Sequence, residues 1–387
     1  MSGLVDFNRR RLLKLPFAAA IAGSGTAVAA ATGVHHVSLE LGGSFQGERL
    51  ARMMAEKNYR DGAFHNLPGG TRGPAVAESR WKKITKAFAE KPEGVKPSAP
   101  VAHQKTDLSS VRNGEMVWLG HSAFYLRAEG LSIAVDPALA AACPIPGFFE
   151  PFKGADVYRA EDIPPLDVLL ITHDHYDHLD YPTIAAIRSR VKRVVCPLGV
   201  GAHFEAWGYD PERITETVWY ESVRLAPNLE LTCLPSQHFS GRTMTMNTTL
   251  WAGFMFDIAG YKLYLSGDGG YGPHFKAVRD MFGRIDFAVL EDGQYNKEWS
   301  DIHLMPADWK LALTDIAPAV VMPCHNAKYA LSRHVWTEPL TAALDNARSV
   351  RIPVTTPLIG SRIALADPAA AGKIWWPEKR LFVHSCG

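Results

Sequence analysis

Eight residues constrain this chain more than any others. Directly after the apolar run Leu166–Thr172 come His173, Asp174, His175, Tyr176, Asp177, His178, Leu179 and Asp180. Three histidines and three aspartates within eight residues are costly to pack unless something positive sits among them. At a strand-to-helix turn, the HxHxDH spacing lets His173 and His175 face one cation while Asp177 and His178 face another. A solvated polar loop is the plain alternative, but it would not require further ligands at similar positions, and such residues exist. His238 follows the apolar run Leu229–Leu234, Asp268 follows Lys262–Leu265, and His325 follows Ala319–Met322. Ligands of open α/β sheets gather at the carboxyl ends of strands. Seven residues from four segments therefore predict a dinuclear metal site.

The surroundings of that segment suit an enzyme. Hydrophobic residues make up 47% and charged residues 21%, which excludes wholesale disorder. A formal net charge of +1 argues against bulk electrostatic binding of nucleic acid. No run of about twenty strongly apolar residues marks a multi-pass membrane protein. The five cysteines, Cys143, Cys196, Cys233, Cys324 and Cys386, form no CxxC pair. Disulfide scaffolds, zinc ribbons and thioredoxin-type centres are excluded accordingly.

Three segments are expected. Asn8-Arg9-Arg10-Arg11-Leu12-Leu13-Lys14 resembles a twin-arginine export signal, and Ala27-Val28-Ala29 fits a small-residue cleavage site. Residues 1–31 are thus read as a signal peptide with a periplasmic or extracytoplasmic destination; a basic arm or short anchor is the alternative. Residues 32–110 form an N-terminal extension, with helices expected over Glu48–Arg60 and Ser79–Lys91, and it offers a surface for peripheral membrane contact. In residues 111–387, short apolar runs alternate with helical patterns. Strands are expected at Met116–Leu119, Ala123–Arg127, Leu131–Val135, Leu166–Thr172, Arg193–Cys196, Leu229–Leu234, Trp251–Ile258, Lys262–Leu265, Ile285–Leu290 and Ala319–Met322. Helices fit Tyr181–Arg190, Pro273–Phe282, Pro306–Ile316 and Glu338–Ala347. Early hairpins followed by βα units suit an α/β sandwich whose two sheets are covered by outer helices, a four-layer αββα arrangement.

The motif order HxHxDH, His, Asp, His resembles the metallo-β-lactamase superfamily. Flanking words narrow the resemblance to the N-acylphosphatidylethanolamine-hydrolysing phospholipase D branch and its bacterial relatives. They are Trp118-Leu119-Gly120-His121, Pro164 through Tyr181, Pro197-Leu198-Gly199, Pro235-Ser236-Gln237-His238 with Arg242, Gly267-Asp268 with Gly270-Tyr271, and Phe282-Gly283. The similarity covers roughly residues 110–350, with Phe64 and Asn66 continuing it upstream. The resemblance implies that His173, His175 and His238 hold one metal, that Asp177, His178 and His325 hold the other, and that Asp268 bridges them. Imidazole and carboxylate ligands suit two Zn²⁺, with Mn²⁺ or Fe²⁺ compatible with the same ligand types. His175 stands where redox members carry glutamate, which favours hydrolysis over dioxygen chemistry.

Two dications, two carboxylates and a bridging hydroxide would leave a residual +1, suited to attack on an anionic phosphodiester. The expected activity is a phosphodiesterase of phospholipase D type acting on a small-molecule or lipid-like ester. A lactonase or amide hydrolase on the same metals is the enzyme alternative, and a metal-binding envelope protein without turnover is the alternative from another class.

Around the metals, the resemblance implies that His303 approaches the substrate as a catalytic group beside Asp268, and that His121 lies near the centre; a capping histidine and a structural turn are the plainer readings. Tyr295 is a further substrate candidate. Asp174 and Asp180 either orient metal-bound imidazoles or are solvated. Cys324 is expected to be a packed thiol, and His203, His334 and His384 ordinary polar residues. Glu291 and Asp292 fall at the carboxyl end of an expected strand. Either they enter the pocket and oppose a dianionic substrate, or they cap the next turn and face water. The chain also departs from the branch: Gly269 replaces a hydroxyl-bearing residue, Asn326-Ala327 stand where Trp-Gly is usual, and two acids at 291–292 replace an apolar pair.

Overall fold

The computed structural model describes residues 39–69, 92–145 and 147–377. The signal peptide, the helix expected over Ser79–Lys91, His384 and Cys386 lie outside the described residues. Helix α1 (Gly47–Ala55) is shorter than the expected helix over Glu48–Arg60, because a hairpin follows it. Strand β1 (Tyr59–Arg60) pairs with β2 (Ala63–Phe64) across Asp61-Gly62. Both turn residues have positive φ, 54° and 77°. An Asp-Gly pair favours this type of tight turn, which ends the helical register.

Six strands then follow in order: β3 (Glu115–Trp118), β4 (Phe124–Ala128), β5 (Leu131–Val135), β6 (Leu166–Leu170), β7 (Val191–Pro197) and β8 (Ile214–Thr217). Next come β9 (Ser222–Ala226), β10 (Leu229–Leu234), β11 (Gly253–Ile258), β12 (Tyr261–Leu265), β13 (Phe287–Glu291) and β14 (Val320–Cys324), and finally β15 (Arg362–Ala364). They make a seven-stranded sheet, β15-β3-β4-β5-β6-β7-β8, and a six-stranded sheet, β14-β13-β12-β11-β10-β9. The helices are α2 (Tyr181–Ile187), α3 (Gly201–Ala206), α4 (His274–Phe282), α5 (Pro306–Ile316) and α6 (Glu338–Val350). Among the described residues, no helix is long and apolar enough to cross a membrane.

Three clusters of buried side chains show why the layers stack as they do. Between the sheets, Val168, Leu170, Phe124 and Leu126 of one meet Phe254, Phe256, Leu263 and Val289 of the other. Leu169 and Ile171, of opposite parity on β6 and its extension, instead face Ile184, Ile187 and Phe204 on α2 and α3. On the far side, Tyr264, Ala288 and Leu290 pack against Phe275, Trp309, Leu313 and Ala343 of α4, α5 and α6. The product is a four-layer αββα sandwich. Strands buried on both faces read as continuous apolar runs, and complete burial of a Phe such as Phe254 is worth about 1.5–3 kcal/mol.

The strands absent from the sequence reading are the hairpin pair and β8, β9 and β15. The last three lie at sheet edges. Ile-Thr-Glu-Thr in β8 is polar and Ser-Val-Arg-Leu-Ala in β9 carries the charged Arg224, which suits edges that must not attract another strand. The N-terminal segment is anchored to this body through Met53 and Phe64, which pack on Leu198, Leu250 and Trp251.

Candidate metal centre

Parallel pairing brings the ends of β5, β6 and β7 together in one sheet and those of β12, β13 and β14 in the other. The chain leaves β6 into Thr172 and the histidine-aspartate turn, leaves β10 into His238, β12 into Asp268 and β14 into His325. The structure therefore brings all seven expected ligands to one edge of the sandwich. Gly267 (φ 61°) permits the turn before Asp268, where a Cβ would meet the Ala252 carbonyl oxygen at 2.3 Å. His325 itself sits at φ 65° and Asp136 at φ 40°, a left-handed backbone that is uncommon outside glycine.

The side chains divide into two halves. In the first, His175 Nδ1 lies 2.9 Å from His173 Nε2 and 3.2 Å from His238 Nε2. In the second, His325 Nε2 is 3.1 Å from Asp177 Oδ2, and His178 Nε2 is 3.6 Å from the same oxygen. Asp268 Oδ2 stands between the halves, 2.9 Å from His325 Nε2, 3.2 Å from His178 Nε2, 3.8 Å from His238 Nε2 and 4.0 Å from His173 Nε2. Asp268 Oδ1 is buried without a hydrogen-bond partner.

The outer ring nitrogens decide what faces inward. His238 Nδ1 lies 2.8 Å from the Ile302 carbonyl oxygen, which can only accept. His178 Nδ1 meets Asp136 Oδ2 at 2.8 Å, His173 Nδ1 meets Thr172 Oγ1 at 3.0 Å, and His325 Nδ1 faces the Gly293 carbonyl oxygen at 3.4 Å. Each imidazole that gives its outer proton to such an acceptor turns a lone pair toward the centre. Three lone pairs that converge within about 3 Å repel one another unless a cation lies among them. Tetrahedral ligation at about 2.0–2.1 Å separates neighbouring ligand atoms by roughly 3.3 Å, close to the spacings found. The donor set fits a divalent metal in each half.

Electrostatics agree with that division. His173 and His238 are held well below the usual imidazole range, by burial first. His175 is lowered by burial as well. In the carboxylate half, burial opposes the charge of His178, yet Asp268, Asp177 and Asp136 push it up to about 10. His325 is raised well above its ordinary value against the same burial penalty, chiefly by Asp268. Burial of Asp268 and partial burial of Asp177 favour their neutral forms, but His178 beside each holds them well below the usual carboxylate range. One half presents neutral imidazoles, and the other pairs its carboxylates with His178 and His325.

Several residues stand where the sequence did not place them. Glu291 is fully buried and enters neither the pocket nor water. Its carboxylate accepts from the Leu304 amide and from His303 Nδ1. Asp292 is also buried, and accepts from Asn326 Nδ2 at 2.7 Å. Burial, with Glu291 adding to it, pushes the Asp292 carboxyl well above its ordinary value, though Asn326 opposes the rise. Two departures from the resembling branch, Asp292 and Asn326, thus meet each other. Tyr295 is buried, and its hydroxyl donates to Glu338 Oε1 at 2.7 Å. His121 is entirely buried, lies 2.9 Å from Asp177 Oδ2 through Nε2, and orients that carboxylate instead of meeting substrate.

Asp174 and Asp180 are buried, not solvated, and neither holds a ligand imidazole. Asp174 accepts from Thr249 Oγ1, the Gly241 amide and His203 Nε2, while Asp180 caps α2 through the Thr183 amide. His203 is part of that buried pairing. Its Nδ1 accepts from the Gly43 amide at 3.0 Å. Cys324 is a packed thiol whose pKa burial raises well above the usual value. The sequence reading missed Asp136, although an acid directly after the buried run Leu131–Val135 carried the same strand-end signal as Asp268. Asn66 also belongs here: it accepts from the His238 amide and donates to the His238 carbonyl, fixing the loop that bears this ligand.

Known proteins agree with the geometry. A family model described as "Beta-lactamase superfamily domain" matches residues 135–326. An uncharacterized protein of Mycobacterium tuberculosis is 32% identical over 378 residues, covering 95% of this chain and 99% of the relative. The N-acyl-phosphatidylethanolamine-hydrolyzing phospholipase D 1 of Caenorhabditis elegans is 31% identical over 198 residues, 47% of this chain and 54% of the relative. Among solved structures, a metallo hydrolase of the archaeon Ignicoccus hospitalis shares the fold, with a TM-score of 0.50 and 19% identity over 64% of this chain and 97% of its own.

Proposed function

The chain belongs to the beta-lactamase superfamily, and from that premise we propose that it is a dinuclear metal-dependent hydrolase cleaving phosphodiesters of phospholipid type. The observation that carries this reading is the position of Asp268 Oδ2 within 4.0 Å of inward ring nitrogens from both halves. His173, His175 and His238 would hold one cation; Asp177, His178 and His325 would hold the other, with Asp268 shared. Two divalent cations, zinc by ligand type, would supply Lewis-acid polarisation of the ester and a nucleophile at neutral pH.

The remaining work falls to the protein's own side chains. Asp136, the Ile302 carbonyl and the Gly293 carbonyl hold imidazole rings in one tautomer, so the inward nitrogens are ready to bind. His121 fixes Asp177. His303, beside His238 with ring centroids 5.1 Å apart, would face the substrate. Phe239 packs edge-on to His175, with ring centroids 4.3 Å apart. The named activity of the worm relative supports the phosphodiester class.

The test is elemental analysis of purified protein beside hydrolysis of bis-p-nitrophenyl phosphate and a lactone panel, with chelated protein as control. About two metals per chain and chelator-sensitive phosphodiester cleavage are expected. Lactone cleavage without phosphodiester cleavage would reject the substrate class, and active protein lacking stoichiometric metal would reject the centre.

We also propose periplasmic delivery by twin-arginine export, supported by Arg9, Arg10 and Arg11 before an Ala/Gly-rich run. A folded reporter carrying residues 1–35 should be exported only with that pathway intact. Unchanged export after Arg9→Lys/Arg10→Lys would refute the proposal.

A further inference from the structure

We infer that Glu291 is a positioning residue for His303, and that it dictates which edge of this imidazole the substrate meets. The inference rests on the reading above that His303 faces substrate.

Glu291 ends β13 with its side chain 1% exposed. A carboxylate there must be satisfied by donors, and the surroundings supply N–H groups. The Leu304 amide donates to Oε1, and His303 Nδ1 lies 3.2 Å from Oε2. His325 Nδ1 lies farther from the same oxygen, at 3.5 Å. Each oxygen already receives an N–H donor, although Glu291, His303 and His325 could also be grouped as metal-type ligands. Charge-assisted hydrogen bonding is the better account of this buried acid.

The backbone on both sides of His303 is clamped. The preceding Ile302 carbonyl accepts from His238 Nδ1, and the following Leu304 amide donates to Glu291. The ring itself stacks on His325 at 5.1 Å and 14°, and abuts His238 at 5.1 Å and 66°. With Nδ1 committed to Glu291, the Nε2 edge is the one left for substrate. A ring nitrogen of His303 lies within 4.8 Å of His238 and Asp268 ligand atoms, so this imidazole borders the centre directly. Glu291 is thus tied to the imidazole it orients and does not stand free in the pocket.

Glu291→Gln is the informative change because it keeps the shape and removes one acceptor. Glutamine can accept from Leu304 or from His303, but not from both in the same manner. The tautomer of His303 is read by nitrogen-15 NMR of histidine-labelled protein, with and without zinc, the resonance being assigned by its loss in His303→Asn. The expected result is a proton on Nδ1 in the wild type and a redistributed tautomer in Glu291→Gln. For bis-p-nitrophenyl phosphate, kcat should fall about 10–100-fold while metal content stays at the wild-type level. KM should change by no more than about threefold.

A wild-type proton on Nε2 would overturn the inference, as would an unchanged tautomer and kcat in Glu291→Gln. If that variant does not fold, the wild-type tautomer decides alone. If the wild type cleaves no phosphodiester, the proposed substrate fails, while the NMR measurement still settles the Glu291–His303 pair.

Discussion

Replacing Asp136 with asparagine should weaken metal binding without touching a ligand. Asp136 Oδ1 accepts from the Thr172 amide at 2.8 Å, and Oδ2 accepts from Thr172 Oγ1 at 2.6 Å and His178 Nδ1 at 2.8 Å. Burial pushes its carboxyl up, and His178 and Thr172 pull it back. Thr172 Oγ1 is in turn 3.0 Å from His173 Nδ1. One carboxylate thus steadies His178 in one half directly and His173 in the other through a hydroxyl. Asparagine tolerates the left-handed φ of 40° and has the same shape, so the backbone can stay in place. If its amide group turns toward His178, however, Nδ1 must accept, and the ring proton moves to Nε2, where the metal-facing lone pair belongs. Loss of such an outer partner typically costs 10–100-fold in metal affinity, or about 1.4–2.7 kcal/mol. Competition of apo-protein with a chromophoric chelator for zinc measures this, with circular dichroism to verify folding. An affinity within about twofold of wild type, in folded protein, would refute the account of His178 orientation.

Two further changes probe stability, one at the His238 loop and one at the start of β3. Asn66→Ala removes the bonds from Asn66 to the His238 amide and carbonyl and the one from Trp251 Nε1, and should destabilise the fold by about 2–3 kcal/mol in urea unfolding; unchanged stability would show that the N-terminal segment does not hold the His238 loop. Glu115 is buried, which raises its carboxyl, but Arg112 and Arg362 bring it down from 4.5 to about 2. Because the folded value is depressed, its contribution is complete above about pH 4.5 and disappears as pH falls through about 2. Glu115→Gln should therefore cost stability at pH 7, by less than about 3 kcal/mol because Arg112 is solvent-screened, and almost nothing near pH 2. An equal loss at both pH values would assign the effect to packing.

The parts of the molecule legible in sequence are those fixed by one segment at a time. Strands such as Leu131–Val135 and Leu229–Leu234 have the same boundaries in the structure, because each is a short, mostly apolar segment set off by its own neighbouring turn residues. The clustered residues were legible for a related reason: His173, His238, Asp268 and His325 each fall within four residues of a strand end. Edge strands β8, β9 and β15 escaped because the polar or charged residues that suit an edge interrupt their apolar pattern.

What could not be read one segment at a time was pairing between segments. Glu291 and Asp292 look like pocket acids when taken alone. In the parallel pairing of β13 with β14, Glu291 stands opposite Cys324, so the next residues of both strands leave side by side. Asp292 then finds Asn326, and Glu291 finds His303 as the chain returns toward α5. The acids that replace an apolar pair therefore bring their own donors, and the chemistry of this edge is set by register as much as by composition. The same reasoning ranks His121. Its position after β3, which runs parallel to β5 two strands away, brings it to the ligand edge, but a buried ring already engaged with Asp177 can act on substrate only through that aspartate.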